Sequence, residues 1–185
     1  MNAIKYIDGL IKNGRKVAVF SCEDPYNTPF HRDIYNLTSY LHFIVKAGAR
    51  VVPASLDLAL QAKGINAFGV FGHYGVVHGH EVCAAIKALS GDYSSYGPDL
   101  KAEIDAIARQ YKYQMSLPIK GNVVSWTMLQ YELLSRLLPQ KQKTLKGTVQ
   151  GDIIIFCGLV ENSHDAKSYK AEILLSSEKN FNAKR

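Results

Sequence analysis

Cysteine is scarce in this sequence: three in 185 residues, an odd number. That argues against a disulfide framework and for a reducing, cytoplasmic compartment. No apolar run approaches the roughly 20 residues that span a bilayer, so no membrane partner is expected. Met1 to Asn13 interleaves apolar residues with Lys and Asp, and so lacks the apolar centre of a secretory signal. Charge of one sign is not concentrated either. The net charge is +6, yet Lys and Arg are scattered; Lys141, Gln142, Lys143 and Lys146 make the one local patch. Without a basic stripe, nucleic acid is not an expected partner. Three enzyme signatures are missing as well. There is no Gly-x-Gly-x-x-Gly turn, no Gly-Lys-Ser/Thr loop and no Gly-x-Ser-x-Gly elbow, which speaks against dinucleotide, P-loop and serine-hydrolase chemistry. No internal repeat or low-complexity segment is present.

What is there fits one globular domain over residues 1–185, 47% hydrophobic and 21% charged. Ile4, Ile7, Leu10 and Ile11 recur at helical spacing and predict a helix over 1–14 that ends near Gly14. Val17 to Phe20, Tyr40 to Val45, Ala67 to Gly72, Ile153 to Cys157 and Tyr169 to Leu175 read as strands. Helices are predicted at 55–63, with Ser55 as cap, and at 81–89, 99–113 and 123–138. Pro25, Asn27 and Pro29 mark a loop, and 176–185 reads as a frayed tail. Strands alternating with helices predict an α/β fold, a mostly parallel β-sheet flanked by helices. The near-continuous apolar strands predict a sheet covered on both faces. Ligands in such sheets bind beyond the C-terminal ends of the strands, where Cys22 and His73 stand.

Cys22-Glu23-Asp24 closes a short apolar run, and Gly79-His80-Glu81-Val82-Cys83 opens a helix-like stretch. Two thiolates and an imidazole are a donor set that suits zinc, and three protein ligands leave a fourth position for water. Cys157 lies inside an apolar strand and reads as core. His31, His42 and His164 read as ordinary polar residues. Glu81 is either a carboxylate that orients a ligating imidazole or an exposed residue of a first helical turn. Gly69, Gly72, Gly75 and Gly79 offer a phosphate-binding alternative, although their spacing is not that of a dinucleotide turn.

The order of these features resembles the β-class carbonic anhydrases, over roughly residues 16–160. That family carries Cys-x-Asp-Ser-Arg after its first strand and His-x-x-Cys after a later one. Cys22-Glu23-Asp24 matches the first half of the first motif. Lys46-Ala47-Gly48-Ala49 is similar to the family's Arg-Asn-Ala-Gly segment, and Gly79 to Leu89 resembles the second motif and its helix. The resemblance implies a zinc-dependent hydration of carbon dioxide to bicarbonate by zinc-bound hydroxide, with Asp24 as the catalytic carboxylate. It also implies a homodimer or higher homo-oligomer, with the N-terminal helix as an exchange arm.

Two departures stand out. Pro25-Tyr26 replaces the family's Ser-Arg, whose arginine clamps the aspartate off the metal; Lys46, Arg32 or the Tyr26 hydroxyl are the candidates to compensate. Without a clamp, Asp24 is free to close the site as a fourth ligand, which would leave a binding or structural protein. The second departure is one of register. Counted from Ser55-Leu56, the ligating histidine is His73; counted back from the helix, it is His80. Three arrangements follow: His80 with Cys83, His73 with Cys83 across a remodelled turn, or Cys83 pointing elsewhere with no metal bound.

Overall fold

The structure is a computed structural model and describes residues 1–37, 41–144 and 152–178; the side chains of 61–63 and 142–144 lie outside the description. Among the described residues six strands form one sheet: β1 (Val17–Ser21), β2 (Leu41–Val45), β3 (Ala67–Val77), β4 (His80–Val82), β5 (Ile154–Asn162) and β6 (Tyr169–Ser176). The order is β2-β1-β3-β5-β6, with β4 paired only to β3. The first four strands of that order run parallel, whereas β4 and β6 are antiparallel.

Alternation along the strands sends side chains to two separate cores. Ala18, Phe20, Phe68, Val70 and Cys157 face α3 (Pro53–Lys63), α4 (Ala84–Ala88), α5 (Pro98–Ala108) and α6 (Ile119–Thr144). Val17, Val19, Phe71 and Phe156 face α1 (Ala3–Lys12) and α2 (Thr28–Tyr35). The sheet is therefore covered on both faces, as the apolar runs predict.

Several predicted elements move. Pro25, Asn27 and Pro29 do not mark a loop: a 3-10 turn spans Pro25–Asn27 and α2 follows at once. Both prolines stand in first turns, where a missing N–H leaves no helical bond unmade. Ser55 is not the cap of α3, which starts at Pro53 after Val52. The helix predicted over 81–89 shrinks to α4, and Glu81 belongs to β4. Ser176 closes β6 rather than fraying, and 179–185 lie outside the described residues.

The change that matters most is in β3. It does not stop at Gly72 but runs on to Val77, and His78-Gly79 turn it back into β4. Gly75 then faces Val82, and Val77 faces His80. This fold-back returns the chain toward the level of His73 as it reaches Cys83.

Candidate metal centre

Three residues of the described chain converge. Cys22 Sγ, a ring nitrogen of His73 and Cys83 Sγ all lie within 4.8 Å of one another, and all three residues are buried. The topology explains the meeting. Strand β1 ends at Ser21, level with Phe71 of β3, so Cys22 is the first residue beyond the end of the strand. His73 is two residues further along β3, still in the sheet and level with Val160 of β5. The crevice is thus at the C-terminal edge of the parallel strands. Cys83 arrives by the fold-back and stands immediately before α4.

The structure brings His73, and not His80, to the two sulfurs. His80 is exposed at the far end of the β3–β4 hairpin. The two registers differ because the hairpin is inserted between His73 and Cys83. Glu81 orients no imidazole; it pairs with Lys87 at 2.5 Å on the surface. Gly69 and Gly72 cradle no phosphate either. A Cβ at Gly69 would meet Phe156, and one at Gly72 would meet Thr127 and Val123, so both glycines make room for packing.

Each member of the group is held by a neighbour. His73 Nδ1 is 2.9 Å from Asn162 Oδ1, which assigns the proton of the neutral ring to Nδ1 and leaves the Nε2 lone pair of that form free. Asn162 is fixed in turn by donating to the Tyr26 carbonyl at 2.8 Å. His73 Nε2 is buried without a hydrogen-bond partner. Cys22 Sγ is 3.5 Å from Cys83 Sγ and accepts from the Gly48 backbone N–H at 3.2 Å. Gly48 has φ +62°, and a Cβ there would press on Ile107 and on Trp126, whose indole N–H donates to the Gly48 carbonyl at 2.5 Å. Glycine is what permits this turn to approach the sulfur.

Asp24 stands beside the group, its Oδ2 3.8 Å from His73 Nε2. Its Oδ1 accepts from the Tyr26 backbone N–H at 3.1 Å, and its Oδ2 from the Ala84 backbone N–H at 2.9 Å. None of the side chains proposed to compensate for the missing arginine does so. Lys46 lies 3.8 Å from Glu103, Arg32 pairs with Asp33 at 3.3 Å, and Tyr26 uses its backbone rather than its hydroxyl.

The electrostatics favour a thiolate. The Cys83 hydrogen bond, and then the His73 charge, pull the Cys22 thiol well below its ordinary value despite burial. The same hydrogen bond and burial push Cys83 well above. Burial pulls His73 down, but the charges on Cys22 and Asp24 outweigh it and hold the imidazole above its ordinary value.

The donor set fits zinc. An orphaned imidazole nitrogen beside two thiols is costly to bury unless something binds it. The 3.5 Å between the sulfurs is close to the ~3.8 Å edge of a tetrahedron with metal–sulfur bonds of ~2.3 Å. Sequence reasoning missed Asn162, named Gly48 only as part of the Lys46-Ala47-Gly48-Ala49 segment, and read as an ordinary polar residue His31, whose ring nitrogen Nε2 lies 3.1 Å from Ser21 Oγ. Only Gly48 carried a signal, the Ala-Gly-Ala turn.

No family model matches the sequence, and no curated protein is similar to it in sequence. Solved structures do match. The β-carbonic anhydrase CafA of the fungal pathogen Aspergillus fumigatus superposes with a TM-score of 0.57 at 12% identity, covering 92% of this chain and 82% of that one. The limiting CO2-inducible protein LCIB gives 0.61 at 12% identity, covering 95% and 88%. Its homolog PtLCIB4 gives 0.63 at 15% identity, covering 94% and 88%. At these identities the likeness is one of fold.

Proposed function

We propose that this chain, which has the fold of the β-carbonic anhydrases, is a divergent member of that family. On this reading it binds one zinc ion through Cys22, His73 and Cys83 and reversibly hydrates carbon dioxide to bicarbonate. The observation that carries the reading is the buried, partnerless His73 Nε2 beside two thiols, at the strand edge where this fold keeps its ligands.

Zinc, when bound, lowers the pKa of a coordinated water to about 7 and so supplies a nucleophile at neutral pH. The residues of this chain do the rest. Asn162 keeps the His73 proton on Nδ1, so that Nε2 faces the metal position. The Gly48 N–H draws electron density from the Cys22 sulfur, which offsets the donation from two thiolates. Asp24 has spent one lone pair of each oxygen on a backbone N–H and keeps others to accept the proton of the nucleophile and orient it. Carbon dioxide and water give bicarbonate and one proton, which leaves to solvent.

The rival reading is a closed site with Asp24 as fourth ligand, in a binding or structural protein. It is favoured by the 3.8 Å between Asp24 Oδ2 and His73 Nε2. Against it, Oδ2 already accepts from Ala84 N–H at 2.9 Å. A carbon dioxide hydration assay across pH, on protein of known zinc content, separates the two. Activity that rises with pH supports the proposal; zinc retained with no activity at any pH supports the rival.

The assembly implied by the resemblance, a homodimer or higher oligomer, belongs to the same proposal; β2 stands at one edge of the sheet. So does a cytoplasmic location, which three free cysteines support. Among the described residues no helix is long and apolar enough to cross a membrane.

A further inference from the structure

The loop that carries Cys22 and Asp24 is closed at its base by a polar cluster on the α2 side of the sheet. Ser21 is the last residue of β1, Asn27 ends the 3-10 turn, and His31 lies one turn into α2. Asn27 Nδ2 donates to Ser21 Oγ at 2.9 Å, and His31 Nε2 is 3.1 Å from both Ser21 Oγ and Asn27 Nδ2. With Nε2 turned to the amide and hydroxyl donors, the neutral ring carries its proton on Nδ1. Phe43 packs its ring edge-on against the imidazole with centroids 4.9 Å apart, which limits ring rotation. One imidazole therefore touches both the residue before Cys22 and the residue that ends the loop.

We infer that His31 is a positioning residue of the metal centre: through Ser21 and Asn27, which bracket the loop, it sets where the Cys22 sulfur and the Asp24 carboxylate stand. This rests on the metal site proposed above, but not on the substrate. The inference separates His31 from residues that merely fill the core. Phe30 and Ile34, on the same helix, are buried in the apolar cluster under the sheet.

The test uses the full chain loaded with cobalt(II), whose visible spectrum reports ligand geometry, and a competing chelator to read zinc affinity. His31→Phe keeps the aromatic volume and loses both hydrogen bonds. It is expected to lower zinc affinity by about 10- to 100-fold, the usual effect of removing an outer-shell partner. It is also expected to shift the cobalt spectrum, a change that lower fold stability alone would not produce. His31→Gln, which restores a donor and an acceptor, should recover most of the affinity. Should His31→Phe not fold, Ser21→Ala carries the test, with a smaller loss in the same direction. Wild-type affinity and spectrum in His31→Phe or, failing that, in Ser21→Ala would overturn the inference while leaving the metal site intact. A wild-type protein that binds zinc yet hydrates no carbon dioxide would overturn the proposed activity and leave this inference standing.

Discussion

The backbone N–H of Ala84 donates to Asp24 Oδ2 at 2.9 Å, so the residue after one cysteine holds the carboxylate that lies two places after the other. The Tyr26 N–H holds the second oxygen at 3.1 Å. Both donors are neutral backbone groups. They orient the carboxylate without adding a positive charge beside the metal position. Asp24→Asn keeps the size of the side chain but turns an amide NH2 toward one of these two donors. The variant is expected to retain zinc and to lose hydration activity by about 100-fold or more. Stopped-flow rates on protein of measured zinc content check this, and a wild-type rate would remove Asp24 from the chemistry.

On the proposed reading, a metal and a disulfide would compete for the same sulfurs. Cys22 Sγ and Cys83 Sγ are 3.5 Å apart, whereas Cys157 lies on β5 with Met128 as its sulfur neighbour at 4.0 Å. In metal-free protein, hydrogen peroxide is expected to join Cys22 to Cys83. Two thiols give up two protons and two electrons, and the peroxide becomes two waters. Zinc uptake should then fail until a thiol reductant is added, and bound zinc should protect. Disulfide mapping by mass spectrometry reads the outcome; a bond to Cys157 would contradict it.

Burial pushes the Cys157 thiol up to about 12. Its folded value lies above the ordinary one, so the protonated form favours folding. That contribution is complete below about pH 8.5 and is lost as pH rises toward about 12. The urea midpoint of the wild type should therefore fall more steeply between about pH 9 and about pH 12 than that of Cys157→Ala. Parallel curves would show that the thiol does not resist ionisation.

How much of this was legible depended on what kind of signal each feature leaves. β1 and β5 announce themselves as apolar runs, because a strand covered on both faces has little room for polar residues. The second half of β3 does not, since Gly72, His73 and Gly75 interrupt the run that marks a strand. The fold-back was hidden with it, and so counting from each side gave a different histidine. α2 was hidden by prolines that break helices in their middles but not at their starts. Both cysteines were found by residue type and by their place at element ends. Asn162 lies 89 residues from His73, and no local pattern ties an asparagine to a partner so distant.

Gly72 precedes His73 and leaves no room for a methyl group against Thr127 and Val123 of α6. Gly72→Ala is expected to destabilise the fold by about 1–3 kcal/mol, the usual cost of overpacking. Because the strain falls on the strand that carries the ligand, zinc affinity should drop with it. Thermal unfolding with and without zinc gives both numbers, and an unchanged midpoint would mean that α6 moves aside freely.

X-ray absorption at the zinc edge of the loaded protein tests the metal centre most directly, with His73→Ala and His80→Ala beside it. The predicted shell has two sulfurs at about 2.3 Å and light donors at about 2.0–2.1 Å. His80→Ala should leave that shell unchanged, and His73→Ala should abolish stoichiometric binding. A shell without sulfur, or a metal lost with His80 and kept without His73, would contradict the account.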